Sequence, residues 1–192
     1  MDAAASGSAG LVLASRSPQR RAILEQLGVA FTVAPAVVCE LDAGDPAAVA
    51  QENARRKAGA AQGGCVLGAD TVVAIGGRIL PKPDDAAQAR TWLELLSGAT
   101  HEVVGGLCVD EGGVQRTAIA RTLVTFRTLG EADIAWYLAS GEWRERAGGY
   151  AIQGRGAALV ARIEGEYLNV VGLSVVGLLN LLPQVLARPP GS

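Results

Sequence analysis

Short apolar runs alternate along the chain with segments whose apolar residues recur at helical spacing. The first run, Leu11–Ser15, is followed by Ser17 and Pro18, a helix-capping residue and a proline suited to the first helical position, so we expect a helix from Pro18 to Leu27. The same signals predict strands at Phe31–Ala34, Cys65–Ile75 (interrupted at Gly68), Ile79–Leu80, Glu102–Asp110, Val114–Phe126 and Ala157–Ile163, and helices at 46–62, from a cap at Asp84 to Leu96, at 130–140 and at Leu173–Leu182. Because helices and strands interleave around one hairpin, the predicted class is α/β, with a mixed sheet flanked by helices.

The body of the chain is predicted to form a single domain, residues 10–185. Of the 192 residues, 49% are apolar, which is enough for a substantial core and excludes disorder for the body. No linker rich in Pro or Ser and no internal repeat interrupts it. Residues 1–9 and 186–192 are expected to be loose tails.

Charge and cysteine content exclude several classes of function. The net charge of −2 does not suit a general nucleic-acid binder. Cys39, Cys65 and Cys108 are far apart and form no CxxC pair, which favours a reducing compartment over zinc or disulfide chemistry. No Lys or Arg precedes Arg16, unlike in a signal peptide, and the longest apolar stretch, Val170–Leu182, is too short for a bilayer. We therefore expect a cytoplasmic protein with neither a membrane nor a nucleic-acid partner.

Two residue counts narrow the possible chemistry. His101 is the only histidine, so a multi-His metal site is impossible and carboxylates with water are the favoured acid–base groups. Without a partner pattern, a structural role is expected for His101. Only Lys57 and Lys82 are lysines among 17 basic residues. They indicate sites that need a compact ammonium, the alternative being chance retention on the surface.

The segment from Ser15 to Arg21 has the composition of a phosphate-binding helix start. It follows a predicted strand, opens a helix and carries two serines and three arginines, including Arg20. Free backbone N–H groups and the helix dipole favour an anion there. The alternative is a capped surface helix with ordinary arginines.

Other candidate residues lie further along the chain. Asp70 interrupts an apolar strand, where a metal ligand or a general base is favoured over a simple Asx turn. Glu40, in a loop, could complete a site for a hard cation, although alone it would be a solvated acid. Lys82 stands between two prolines that would aim it. Gln153, in a glycine-flanked loop, could recognise a base edge, or the loop is a plain connection. Walker and GxGxxG motifs are absent.

Together these motifs resemble the Maf family of nucleoside triphosphate pyrophosphatases, from Leu11 to about Leu182. The matching stretches are LVLASRSPQRR, the loop carrying Glu40, ENARRKA, LGADTVV, KPDDAAQA with LSGATHEVV, and WRERAGGYAIQG with IEGEYLNVVGL. The resemblance implies an α/β fold of the Maf/ITPase type, with a central cleft between two lobes, and a homodimer. It also implies cleavage of the α–β anhydride of a nucleoside triphosphate with Mg²⁺ or Mn²⁺, as house-cleaning of the nucleotide pool.

The resemblance also implies roles for individual residues. Asp70 matches the proton acceptor and, with Glu40, a metal ligand. Phosphate-binding positions are matched by Ser15, Arg20, Lys57 and Lys82, and base-selecting positions by Gln19, Thr71 and Gln153. The motifs GADT and GGYAIQG resemble the branch that prefers dTTP and UTP.

Four residues depart from the family pattern. Gln19 stands where that branch usually has Arg, and an amide lacks the charge and fork of a guanidinium. Pro81 replaces a usual Gly, Cys39 a usual Asp and Ser174 a usual Pro.

Two other functions stay open at this point. One is a nucleotide-binding regulator of cell division with little catalysis, which would keep the phosphate cradle and lose the chemistry. The other is a purine house-cleaning hydrolase of the inosine-triphosphate type, which would differ in base choice.

Overall fold

A single mixed sheet of seven strands organises the structure, a computed structural model that describes residues 10–186. The strands are β1 (Leu11–Leu13), β2 (Phe31–Val33), β3 (Cys65–Ile75), β4 (Arg78–Ile79), β5 (Thr100–Glu111), β6 (Val114–Phe126) and β7 (Val160–Glu164). β1 pairs in parallel with β2 and β3, and the sheet continues antiparallel through β5, β6 and β7, while β4 pairs antiparallel with β3. The predicted α/β class with a mixed sheet is confirmed. Of the predicted tails, 1–9 and 186–192, all residues but Leu186 lie outside the described residues.

Six α-helices in the described part of the chain surround the sheet, and the first of them begins at the capping residue expected from the sequence. They are α1 (Pro18–Gln26), α2 (Pro46–Ala60), α3 (Ala86–Leu96), α4 (Glu131–Ala139), α5 (Tyr167–Val171) and α6 (Val175–Leu181), with 3-10 turns at Ala147–Gly149 and Arg155–Leu159. The Ser17 hydroxyl accepts from the Arg20 N–H to cap α1, and Asp45 caps α2 in the same way. Each cap satisfies backbone donors that a helix start leaves unpaired.

Three details of the predicted elements are wrong. β3 runs without interruption through Gly68, since that glycine serves the close approach of α2 rather than a break in the strand. Asp85, not Asp84, caps α3, by accepting from the Gln88 N–H at 2.8 Å. The strand predicted at Ala157–Ile163 begins only at Val160, because the preceding residues form a 3-10 helix. The short helix α5 was not predicted.

The two faces of the sheet bury different helices. Leu11, Leu13 and Leu67 pack in a cluster with residues of α1 and α6, whereas the alternating neighbours Val12 and Val66 pack against α2. A third and larger cluster gathers the apolar residues of α3 and α4. The end of β1, the start of α1, the middle of β3 and one side of α2 thereby meet at a single cleft.

Candidate active site

One cleft of about 720 Å³ brings together every residue that the sequence singled out for phosphate, metal or base binding. Its lining includes Ser15, Gln19, Arg20, Glu40, Lys57, Asp70, Thr71, Lys82 and Gln153. These residues come from segments spread over most of the chain, so only the tertiary fold brings them together. The division into two lobes stays a prediction.

Arg20 is buried and links three segments at the floor of the cleft. Its Nε donates to the Gly172 carbonyl at 2.9 Å, its Nη1 to the Ser15 hydroxyl at 3.0 Å, and its Nη2 to the Thr71 hydroxyl at 3.1 Å. Three elements of the cleft are therefore held by one planar, permanently charged group. Thr71 also donates to the Gly172 carbonyl at 3.4 Å.

The charge of Arg20 is balanced by nearby carboxylates. Burial lowers the pKa of Arg20, and the negative charges of Asp70 and Glu40 oppose that change. The guanidinium remains a cation at any physiological pH, because an arginine pKa starts from a very high value. The cleft thus contains a fixed positive charge beside two carboxylates.

Asp70 sits at the centre of a tightly bonded group. The Lys57 ammonium lies 2.6 Å from Asp70 Oδ1 and 2.8 Å from Glu40 Oε1, while Asn53 Nδ2 donates to Asp70 Oδ2 at 3.0 Å. Asn53 also exchanges two hydrogen bonds with the backbone of Leu41, at 2.7 and 2.9 Å. This Asp70 network fixes the orientation of the carboxylate and ties the loop carrying Glu40 to α2.

The sequence analysis missed Asn53, although a signal for it existed. Asn53 and Lys57 are four residues apart on α2 and therefore share one helix face. Both lie in the stretch ENARRKA, and both are almost completely buried. A buried amide and a buried ammonium at helical spacing indicate a common polar partner, which is Asp70.

Lys82 and Gln153 lie at the open part of the cleft. The Lys82 side chain is 56% exposed and its ammonium is 3.4 Å from Glu145 Oε2, a loose pair. Gln153 is exposed. Both side chains are thus accessible to a ligand, in contrast to the buried Lys57.

The start of α1 offers fewer free donors than the sequence indicated. Pro18 has no N–H, the Arg20 N–H is bonded to the Ser17 hydroxyl, and the Arg21 N–H to the Ser17 carbonyl. Of the first helical residues, Gln19 keeps its N–H without a partner within residues 10–186. An anion at this end would therefore meet side-chain donors more than backbone N–H groups.

Ser174, one of the departures from the family pattern, has a structural explanation. Its hydroxyl accepts from the Gly177 N–H at 2.9 Å and donates to the Glu166 carboxylate at 2.5 Å. It therefore caps α6, a position where serine is favoured. The departure at Ser174 does not touch the cleft.

His101 lies outside the cleft lining, within an aromatic cluster. Its Nε2 is 2.8 Å from the Tyr150 hydroxyl, and its ring meets Phe126 edge to face. Burial lowers the pKa of His101 to about 4, so the ring is neutral near pH 7. The position agrees with the expected structural role.

The donor set of the cleft fits a divalent cation. Glu40 and Asp70 bring two hard carboxylate oxygens to the same ammonium, and Mg²⁺ is commonly bound through one or two carboxylates plus substrate phosphates. Residues 10–186 contain no group of three or more His, Cys, Asp or Glu side chains placed to hold a metal ion. A cation at Glu40 and Asp70 would therefore need oxygen ligands from the substrate or from water.

Comparison with known proteins assigns the chain to a family. A family model described as Maf-like protein matches residues 10–185. The chain is 48% identical over 179 residues to a dTTP/UTP pyrophosphatase of Anaeromyxobacter sp. (strain Fw109-5), covering 90% of this chain and 87% of that protein. Proteins of the same name from Symbiobacterium thermophilum (43% over 180 residues, 91% and 93% covered) and Deinococcus radiodurans (44% over 177 residues, 90% and 91% covered) are also similar. The chain belongs to the Maf-like protein family.

Proposed function

We propose that this protein hydrolyses the α–β anhydride of nucleoside triphosphates, with dTTP and UTP as the favoured substrates, and releases the monophosphate and pyrophosphate. The observation that carries the proposal is the Asp70 network, in which a carboxylate is held by Lys57 and Asn53 inside a cleft beside Arg20. Relatives that share up to 48% identity bear the name dTTP/UTP pyrophosphatase.

Asp70 is the residue we propose to accept a proton from the attacking water. Each of its oxygens already accepts one hydrogen bond, from Lys57 and from Asn53. A carboxylate oxygen has two lone pairs, so each oxygen keeps capacity for a further donor. The water attacks the α-phosphorus, its proton passes to Asp70, and the bond from that phosphorus to the bridging oxygen breaks. Pyrophosphate leaves with the bridging oxygen.

Cations of the cleft stabilise the charge that develops on the leaving group. Lys57 and Arg20 are fixed by their hydrogen bonds, so they need little rearrangement during the reaction. Lys82 is exposed and reaches the phosphate chain from the open part of the cleft. Ser15 holds Arg20 in place through its hydroxyl.

Glu40 and Asp70 are the proposed ligands of Mg²⁺ or Mn²⁺. A bound divalent cation supplies neutralisation of phosphate charge and lowers the pKa of a coordinated water. Asn53 keeps the backbone of Leu41, next to Glu40, at a fixed distance from Asp70. The two carboxylates are therefore preorganised for a common ion.

Base selection is assigned to the side chains at the outer part of the site. Gln153 is exposed and has both a donor and an acceptor for a base edge. Thr71 is engaged with Arg20 and Gly172, so it shapes the pocket through their positions. We also propose that residues 10–185 act as one domain and that the protein works as a homodimer in the cytoplasm.

The alternative of a nucleotide-binding regulator is not favoured, because both carboxylates and both lysines of the expected reaction line one cleft. Nucleotide binding without product formation would support it. A hydrolase for inosine triphosphate is distinguished by competition between inosine and pyrimidine triphosphates.

Replacement of Asp70 tests the proposed reaction. Asp70→Asn keeps the shape and the contact with Lys57 but removes the proton acceptor, so kcat for UTP should fall a hundredfold or more. Asp110→Asn is the matched control, on β5 and outside the cleft, and should keep full activity. A fully active Asp70→Asn enzyme would contradict the role of Asp70.

A further inference from the structure

The cleft contains an arginine that the reaction above does not use. Arg146 precedes the 3-10 helix Ala147–Gly149 and lines the cleft. Its Nη1 donates to Oε1 of Gln19, on α1, at 2.6 Å. Its Nε is buried and has no hydrogen-bond partner among residues 10–186. Arg146 is therefore only partly satisfied by the protein itself.

The contact with Arg146 determines which way the Gln19 amide points. A guanidinium has donors and no acceptor, so the amide atom that faces it must be the oxygen. The Ser17 hydroxyl donates to the same oxygen at 3.2 Å. The Nε2 of Gln19 has no acceptor within the described part of the chain. Gln19 thus offers two N–H donors, while its acceptor is already occupied.

The surroundings of Arg146 strengthen those donors. None of the described carboxylates forms an ion pair with Arg146, and within residues 10–186 its guanidinium donates to the Gln19 amide while its Nε has no partner. A donor bonded to the amide oxygen polarises the amide and makes its N–H groups better donors.

The backbone that delivers Arg146 is unusual. Glu145 has a φ of 58°, in the left-handed region that residues other than glycine rarely adopt. Conformations of this kind persist where the surroundings impose them, often at ligand-binding sites. Glu145 also contacts Lys82, so Glu145 and Arg146 are linked to two separate residues of the cleft.

We propose that Arg146 is a positioning residue that locks Gln19 in its donor orientation, so that Gln19 donates to an acceptor oxygen of the bound nucleotide. The inference rests on the proposed function in taking a nucleoside triphosphate as the ligand. The oxygen belongs either to a carbonyl of the base or to a phosphate. Uracil and thymine carry a carbonyl where cytosine carries an amino group, so a pure donor favours the first two bases.

Three variants distinguish the orienting role of Arg146 from the hydrogen-bond donation by the Gln19 amide. Gln19→Glu keeps an acceptor for Arg146 but has no N–H groups. Arg146→Ala releases the amide, whereas Arg146→Lys retains a cationic donor. Arg144→Ala is the matched control, because Arg144 is exposed, stacks on Trp143 with its guanidinium carbon 4.5 Å from the ring centroid, and does not line the cleft.

The measurements are kcat and KM for UTP and CTP, and Kd for the α,β-methylene analogues of both. Gln19→Glu should lower the preference for UTP over CTP about tenfold, which is the effect of one lost hydrogen bond. The change should appear in KM and Kd, while kcat changes little. Arg146→Ala should lower it about threefold, because the freed amide samples both orientations. Arg146→Lys should recover most of that loss, and Arg144→Ala should match the wild type.

The outcomes identify the acceptor and test the lock. A loss confined to UTP assigns the oxygen to the base. An equal weakening for UTP and CTP that is also seen in Gln19→Met, which lacks the N–H groups and adds no negative charge, assigns it to the phosphate chain. Unchanged KM and Kd in Gln19→Glu, or equal defects in Arg146→Lys and Arg146→Ala, overturn the proposal. If the wild-type protein binds the analogues but releases no pyrophosphate, only the proposed function is contradicted. The Kd values then still test whether Arg146 orients Gln19. A wild type that binds neither analogue overturns both.

Discussion

At the scale of single residues, the two lysines of the chain have different surroundings. Lys57 is buried between Asp70 and Glu40, whereas Lys82 is more than half exposed and only loosely paired. A buried cation compensates buried carboxylates, and its removal leaves an unpaired charge. An exposed pair contributes little to stability. Lys57 therefore stabilises the fold as well as the site, while Lys82 remains available to a ligand.

Exchange of each lysine for methionine tests this difference. Lys57→Met should lower the free energy of unfolding by about 3 kcal/mol at pH 7, because the buried Asp70 carboxylate loses the ammonium that contacts it. Lys82→Met, the matched control, should change it by less than about 0.5 kcal/mol while raising KM for the nucleotide. Urea unfolding measures both stabilities. A Lys57→Met protein as stable as the wild type would contradict the assigned role.

His101 makes stability depend on pH. Burial lowers the pKa of His101 in the folded protein to about 4, below the ordinary histidine pKa of 6.5, so the unfolded chain binds the proton more tightly. The stability that His101 provides is complete above pH 6.5 and decreases as the pH falls toward 4, by about 3 kcal/mol in all.

Thermal unfolding between pH 4 and 7 checks this dependence. The wild-type Tm should fall more steeply with acid than that of His101→Gln, which keeps a polar group near Tyr150 and has no ionisable ring. Parallel curves for the two proteins would show that His101 does not titrate as argued.

Sequence reasoning identified single residues whose type was unusual for the segment or for the composition of the chain. Asp70 stood out as a carboxylate in an apolar strand, and Lys57 as a rare lysine. Arg146 could not be found this way, because nothing in its local sequence marks it and its partner Gln19 is 127 positions away. The number of free donors at the start of α1 was overestimated, since the Ser17 cap uses one of them.

At the scale of elements, α2 packs unusually close to the sheet. A Cβ on Gly68 would collide with the backbone of Ala54 and Ala58, and one on Gly106 with the carbonyl of Ala50. Both glycines therefore provide room for the backbone of α2. This packing presents Asn53 and Lys57 of α2 to Asp70 on β3.

Addition of a methyl group at this contact should separate helix from sheet. Gly106→Ala should destabilise the protein by about 2 kcal/mol and reduce activity, because α2 must shift with its two site residues. Gly10→Ala is the control, since none of the described residues beyond its chain neighbours comes within 4 Å of a Cβ at this position. Chemical unfolding and steady-state kinetics measure the two effects, and equal stability of both variants would contradict the packing argument.

Errors in the predicted elements come from tertiary packing. Gly68 disfavours a strand locally, yet β3 pairs with β5 on both sides of it and continues. Residues 157–159 are apolar, as in a buried strand, but in the structure they belong to a 3-10 helix that precedes β7. The cap signal at Ser17 depends on a backbone N–H only three residues away, and this cap was predicted correctly.

At the scale of the whole molecule, the sheet gathers residues from position 15 to position 172 around one cleft. The α/β class was predicted from the order of helices and strands. That the candidate residues share one cleft was implied only by the family resemblance, and the structure shows these residues lining one cleft. Within residues 10–186, no helix is both long and apolar enough to cross a bilayer. The homodimer and the cytoplasmic location stay predictions.

The central claim is that water attacks the α-phosphorus, and hydrolysis of UTP in ¹⁸O-labelled water with Mg²⁺ tests it most directly. Mass spectrometry of the products locates the label. Our account predicts UMP carrying one ¹⁸O and unlabelled pyrophosphate, because Asp70 activates water against the phosphorus nearest the nucleoside. Label in the pyrophosphate, or formation of UDP and orthophosphate, would contradict it.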